Sequence, residues 1–278
     1  MNDSSVLGLI AGQGRLPFLV AEGAKREGLK VICVGLTGSV EPALAEKVDV
    51  YYEVALARPG GWIRRLKRHN VSTTLMVGRV AKTRIFTPWR ILRYLPDWRA
   101  MRIWYWRLRG KVKQNDVLLR AVADELAKGG ILLENSMMYC KEHLATAGVM
   151  TKLKPSSAAM EDIEFGWRLV KKLGELDIGQ AIAVKEKEVI AVEAIEGTAL
   201  MVERAGQLCK SGAWTLIKAA KPGQDMRFDV PCVGPDTIKS LAENGGKCLV
   251  VEADKTIIID KPETIALADK LGIAIFGC

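Results

Sequence analysis

A short apolar run from Val6 to Ala11 stops at Gly12-Gln13-Gly14, and Leu16, Phe18, Leu19, Ala21 and Ala24 then recur at helical spacing. That pattern predicts a strand, a tight turn and a helix. Lys30 to Gly35 reads as a second buried strand, Trp62 to His69 as an amphipathic helix and Thr73 to Val77 as a third strand. Val117 to Ala127 is a further helix that ends at Gly129-Gly130, with a short strand at Ile131 to Leu133. Strands that alternate with helices predict a parallel sheet covered on both faces.

The pattern changes further on. A helix from about Ala158 to Leu173 carries Glu161 and Asp162 in its first turns and Lys171-Lys172 near its end, which suits the helix dipole. Ala181 to Val184 and Val189 to Ala194 read as short strands joined by Lys-Glu-Lys-Glu, followed by strands at Thr215 to Lys218, Lys247 to Ala253 and Lys255 to Ile259. A helix over Pro262 to Leu271 and a closing strand over Ile273 to Phe276 complete a mixed α+β half. The expected domains are residues 1–136 and 137–278. Between them in character stands the stretch 79–113, read as an insertion in the first domain: it holds eleven Lys or Arg, one acid (Asp97) and four of the seven tryptophans (Trp89, Trp98, Trp104, Trp106).

Composition narrows the chemistry. A chain of 278 residues that is 49% hydrophobic can bury two ordinary cores, which excludes general disorder. The net charge of +9 favours anionic partners: nucleotides, phospholipid head groups or nucleic acid. Six cysteines without a CxxC pair, and only two histidines, argue against a zinc site of ordinary spacing and for a reduced, cytosolic setting. No run of 18 apolar residues is long enough to span a bilayer, and the polar, acidic start matches no secretory signal.

The turn Gly12-Gln13-Gly14 stands where a dinucleotide fold cradles phosphate on backbone amides. Pro17 occupies the place of the third glycine in GxGxxG, which argues against NAD; phosphate or sugar contact and a purely structural turn both remain open. The richest polar stretch is Lys218-Ala-Ala-Lys221-Pro-Gly-Gln224-Asp225-Met-Arg227-Phe-Asp229, where two acids four residues apart lie among three cations. Diphosphate hydrolysis uses such a mixture, since cations neutralise phosphate while carboxylates hold Mg²⁺ or Mn²⁺ and position water. A solvated charged loop would have the same composition. Glu193-Ala-Ile-Glu196-Gly197-Thr198 closes a β run with a second acidic turn, Asp177-Ile-Gly179-Gln180 precedes it, and Asn115-Asp116 reads as a helix cap or part of a cleft. The basic tryptophan-rich stretch suits an anionic bilayer, single-stranded nucleic acid or packing on its own domain.

Together GLIAGQGRLP, LDIGQAIAVKEKEVIAVEAIEGT, KAAKPGQDMRFDVPCVGPDTI and ADKLGIAIFG resemble, in order and spacing, the LpxI-type UDP-2,3-diacylglucosamine pyrophosphatases of lipid A biosynthesis. The resemblance implies a Rossmann-like N-terminal domain, a C-terminal α+β catalytic domain and a cleft between them. It also implies Mg²⁺-dependent hydrolysis of UDP-2,3-diacylglucosamine to UMP and 2,3-diacylglucosamine 1-phosphate. The family's essential aspartate falls on Asp225, with Asp229, Glu193 and Glu196 as further candidate metal ligands. Lys218, Lys221 and Arg227 would stabilise phosphate charge, and Gly12, Gln13, Gly14, Gln180, Thr198 and Gln224 would contact substrate. Expected partners are the lipid-linked nucleotide, its lipid product and the inner face of a membrane, with no nucleic acid; a homodimer is allowed. Ala199 stands where the family often has an acid, which keeps a non-catalytic lipid or nucleotide-sugar binding protein as the competing reading.

Overall fold

A computed structural model describes residues 5–80, 96–103 and 115–278. The chain divides into two compact units, Met1–Cys140 with Asp225–Asp229, and Lys141–Gln224 with Val230–Cys278.

The first unit starts with β1 (Val6–Ala11), α1 (Leu16–Arg26), β2 (Lys30–Leu36) and β3 (Val50–Val54). It continues through α2 (Pro59–Lys67), β4 (Thr73–Val77), the short α3 (Trp98–Arg102), α4 (Asn115–Lys128) and β5 (Leu132–Leu133). Its five strands are all parallel, in the order β3-β2-β1-β4-β5. The strand order runs outward from β1 to β3 and then returns to the other side of β1. Right-handed crossovers in opposite directions place α1 on one face and α2 with α4 on the other. On the latter face Ile10, Ile32, Val34 and Leu36 pack against Trp62, Ile63, Leu66, Ala123 and Leu126. β3 escaped the sequence reading because its tyrosines and Glu53 leave it only partly buried at the sheet edge.

The second unit contains β6 (Gly148–Val149), α5 (Ser157–Glu175), β7 (Ala181–Lys185), β8 (Glu188–Val192), α6 (Thr198–Leu208) and β9 (Trp214–Lys218). There follow β10 (Cys232–Val233), α7 (Pro235–Glu243), β11 (Gly246–Val251), β12 (Ile257–Ile258), α8 (Lys261–Leu271) and β13 (Ala274–Gly277). A six-stranded mixed sheet has the order β6-β13-β11-β9-β7-β8. The expected strand over Lys255 to Ile259 shrinks to β12, which pairs with β10 outside that sheet, because residues 253–255 turn. α6 and α7 were not foreseen: each begins at a glycine, Gly197 or Gly234, and reads as loop in a linear scan.

Side chains alternate across this sheet with the period of two that a pleated strand requires. Ile182, Val184, Ile217, Cys248 and Val250 face α5, while Ala181, Ala183, Ala191, Leu216, Leu249 and Val251 face α6, α7 and α8. α5 begins at Ser156, whose hydroxyl accepts from the Ala159 amide at 3.1 Å, a cap contributing about 1 kcal/mol.

Asp162 on α5 clamps the β7–β8 hairpin. It is 3% exposed, and its Oδ1 accepts from the Lys187 amide at 2.8 Å. Burial raises its carboxyl above the ordinary 3.8, with the Lys187 amide working in the opposite direction. The folded state therefore disfavours the charged form, so stability falls as pH rises from the unfolded value through the raised folded one. Asp162→Asn keeps the acceptor without the charge. Its expected result is roughly 1 kcal/mol of added stability at neutral pH and none at pH 3, checked by thermal unfolding at both; an equal effect at the two values would mean that the charge is not the cause.

Candidate functional site

The glycine turn lies at the carboxyl end of β1, beside the carboxyl end of β4. The Gly12 amide donates to Val77 O and the Gln13 amide to Arg79 O, both at 2.8 Å, while Arg79 returns its own amide to Gln13 O at 2.9 Å. A Cβ on Gly12 would lie 2.7 Å from Arg79 O, so glycine is required for the two backbones to cross. Against the expected cradle, the amides of Gly12 and Gln13 are consumed by protein carbonyls, while that of Gly14 has no backbone partner among the described residues.

Asp225 lies in the same unit. The chain leaves the β9 strand, bends at Pro222-Gly223 with Gly223 at φ +73°, and folds residues 225–229 into a turn in which the Phe228 and Asp229 amides both donate to Asp225 O. Ser136, just beyond β5, fastens that turn. Its amide donates to Met226 O at 3.1 Å, and its Oγ lies 2.6 Å from Arg227 O and 3.1 Å from Met76 O on β4. Phe228 packs against the core beneath the sheet, and the Arg227 guanidinium lies 5.4 Å from the Phe228 ring centre. The turn is thereby fixed at the carboxyl edge of the parallel sheet, where open α/β sheets bind ligands.

On this turn Asp225 receives a two-pronged contact: Arg227 Nε donates to Oδ1 at 2.9 Å and its Nη2 to Oδ2 at 2.6 Å. Hydrogen bonding from the Arg227 side chain is the main reason that the Asp225 carboxyl sits below its ordinary range, ahead of the Arg227 amide and the charge of Arg120. Asp229 is exposed.

The second unit gathers a different set. β9 ends at Lys218 and β8 is followed by Glu193; alternation carries both onto the α6 face. Thr198, the first residue of α6, sits between them. Lys218 Nζ donates to Thr198 Oγ1 at 3.2 Å and to Cys232 O at 3.1 Å, and Thr198 Oγ1 donates to Glu193 Oε1 at 2.9 Å. Lys218 and Glu193 are 7% and 6% exposed, and Glu193 Oε2 has no partner among the described residues. Gly179 makes this approach possible, for a Cβ there would lie 1.9 Å from Glu193 O.

Other expected members are elsewhere. Glu196 pairs with Arg204 at 2.7 Å, and Lys221 with Asp177 at 2.6 Å. Gln224 Oε1 accepts from the Lys221 amide at 2.8 Å, closing its own turn. Gln180 precedes Ala181, so alternation sends it toward the α5 face, away from Thr198. Sequence reasoning missed Ser136, Lys171 and Glu252. Glu252 caps β11, receives the Ala220 amide at 2.9 Å and pairs with Lys171 and Lys255 at 3.0 and 2.8 Å. A lone acid ending the apolar run of β11 is the signal that would have pointed to it. Trp98 is the one tryptophan of the basic stretch within the described residues and is 71% exposed; the expected bilayer contact of Trp89, Trp104 and Trp106 lies outside them.

Among the described residues no three His, Cys, Asp or Glu side chains are grouped to hold a metal. The expected quartet of Asp225, Asp229, Glu193 and Glu196 is thus not a ready-made cage: Arg227 occupies both Asp225 oxygens, and Thr198 and Arg204 engage the glutamates. The donor sets suit Mg²⁺ only in its commoner mode, in which one or two carboxylates share the ion with water and substrate phosphate. No helix among the described residues is long and apolar enough to cross a membrane.

A doubly wound parallel sheet with an acid–base pair at its carboxyl edge, followed by a mixed α/β unit with a buried Lys–Thr–Glu chain, defines a two-unit α/β protein. Residues 6–143 match the model of the LpxI N-terminal domain and residues 146–276 that of the LpxI C-terminal domain. A protein of Caulobacter vibrioides named UDP-2,3-diacylglucosamine pyrophosphatase LpxI is 30% identical over 278 residues, covering 98% of this chain and 96% of its own. The chain belongs to the LpxI family.

Proposed function

We propose that this chain hydrolyses the diphosphate of UDP-2,3-diacylglucosamine to UMP and 2,3-diacylglucosamine 1-phosphate, a step of lipid A synthesis. The observation that carries the reading is Asp225, held as a fixed carboxylate on a turn that Ser136 ties to the carboxyl edge of the first sheet. Membership of the family, and the activity in the Caulobacter relative's name, supply the substrate.

Water attacks the phosphorus nearer the sugar, the bond from that phosphorus to the bridging oxygen breaks, and UMP leaves with the electron pair. A carboxylate held below its ordinary pKa is a weak base at neutral pH, so Asp225 orients the water and the released proton passes to solvent. Arg227, on the same turn as Asp225, contributes positive charge toward the phosphates. Mg²⁺, when bound, would neutralise diphosphate oxygens, and Asp225 would hold it together with water and substrate once Arg227 yields one of its oxygens.

The test is hydrolysis by purified protein in ¹⁸O-labelled water, with and without EDTA. Expected are label in the sugar phosphate, unlabelled UMP, and loss of turnover with EDTA that added Mg²⁺ restores. Absence of UMP release sinks the hydrolase; label in UMP reverses the side of attack; turnover that ignores EDTA removes the metal.

A further inference from the structure

The short helix α3 is inverted: its charged side faces the protein and its apolar side faces out. Glu125 on α4 is 1% exposed, and Arg99, Arg102 and Lys128 all pair with its carboxylate, Arg99 at 3.3 Å and Lys128 at 3.0 Å. Asp97 fixes the helix at its start. Its Oδ1 accepts from the Ala100 amide at 3.0 Å and its Oδ2 from the Gly60 amide at 2.7 Å, so one carboxylate caps the amino ends of α3 and α2 together. Ile103, just past the helix, is buried. Trp98 and Met101, three residues apart and hence on one face, are left 71% and 50% exposed. The hydrophobic effect alone would turn this segment over, with Trp98 and Met101 inward and the guanidinium groups out. The ion pairs and caps prevent that and hold the apolar pair outward in a fixed orientation.

We propose that Trp98 and Met101 form a docking face for the surface of an anionic bilayer. Charge selects this occupant. The only acid between residues 79 and 113 is Asp97, and both of its oxygens are spent on helix caps. α2, against which α3 packs, contains no acid, and Arg64 and Arg68 follow Gly60 at the helical spacings i+4 and i+8 and are exposed. A bilayer surface takes up such a combination at two depths, the indole and thioether at the head-group boundary and the guanidinium groups among the phosphates. A single-stranded nucleic acid would need the cations beside the ring to meet its backbone, whereas Arg99 and Arg102 are drawn inward to Glu125. The face stands apart from the hydrolase reading, although a diacylated substrate would be met in the same layer.

The experiment sediments the full chain with vesicles of phosphatidylcholine alone and of phosphatidylcholine mixed with phosphatidylglycerol. It compares the unaltered protein with Trp98→Phe, with the double variant Trp98→Ala and Met101→Ser, and with the double variant Arg64→Gln and Arg68→Gln. Quenching of tryptophan emission by bromine-labelled lipid is read on the same samples. Trp98 and Met101 are exposed, so their removal is expected to leave thermal unfolding unchanged and a loss of binding reports on the face. The unaltered chain is expected to bind the anionic vesicles, Trp98→Phe to bind within about threefold of it, and the apolar double variant to bind at least about tenfold more weakly. The arginine double variant is expected to lose about twentyfold on anionic vesicles, at about fivefold per cation, and nothing on neutral ones. Trp98→Phe should also lose part of the lipid quenching. An unaltered chain that leaves the anionic vesicles in solution overturns the proposal, as does an apolar double variant that binds them as tightly as the unaltered chain. Tighter binding to a single-stranded oligonucleotide than to vesicles, lost in the apolar double variant, gives the face to nucleic acid instead. Vesicle binding is read without turnover, so its failure leaves the hydrolase reading standing.

Discussion

Asp225→Asn is expected to lower kcat on the order of 10³-fold while leaving the protein folded. Asparagine keeps Oδ1 as an acceptor for Arg227 Nε, so the turn retains its contact to Ser136 and its Phe228 anchor. What disappears is the charge. The exposed side of the pair, Arg227, has a side chain 41% open to solvent and is rehydrated once its partner is neutral, so the cost in stability is about 1 kcal/mol or less. Circular dichroism and thermal unfolding check the fold, and UMP release checks the rate. A variant that is well folded and still turns over within tenfold of the unaltered protein would take Asp225 out of the mechanism. Arg227→Met is the companion: with the guanidinium gone, the Asp225 carboxyl rises toward its ordinary value.

The second large effect falls on Gly179→Ala. Its new methyl would stand 1.9 Å from Glu193 O, a backbone atom that cannot swing away as a side chain does. The end of β8 must shift, and the shift works against the 2.9 Å bond from the Glu193 amide to Ala181 O. The expected cost is about 3 kcal/mol, or about 10 °C in Tm, with hydrolysis falling as Glu193 loses its register on Thr198. Differential scanning calorimetry measures the first and the steady-state assay the second; an unchanged Tm would show that the two segments lie further apart than described.

Much of this architecture was legible in the residues themselves. The apolar runs at Val6–Ala11, Lys30–Leu36 and Thr73–Val77 are strands buried on both faces, so continuous hydrophobicity announced them and their alternation with helices announced a parallel sheet. The edge strand Val50–Val54 did not announce itself, because an edge tolerates tyrosine and glutamate. Asp225, Lys218, Glu193 and Thr198 became candidates because acids and cations cluster where a strand ends, and Asp225 also because a family motif falls on it. Their grouping was not: periodicity says which face a side chain takes, but only the folded backbone reveals that Lys218 and Glu193 share a face with Thr198 while Gln180 does not. Spacing along the chain likewise joined Asp225 to Asp229, whereas the turn hands Asp225 to Arg227 and exposes Asp229. Ser136 was invisible since a lone serine after a two-residue strand has no pattern to mark it.

The assignment of residues 225–229 to the first compact unit bears on how the polypeptide can be divided. The chain passes from one unit to the other after Cys140, returns for five residues, and departs again after Asp229. Severing the gene in the gap between the two family matches, after residue 143, would place Asp225 on one fragment and Ser136 on the other. Each fragment could keep its own sheet, yet the aspartate would travel on a tether stripped of its mooring, so activity would return only where the two pieces recombine.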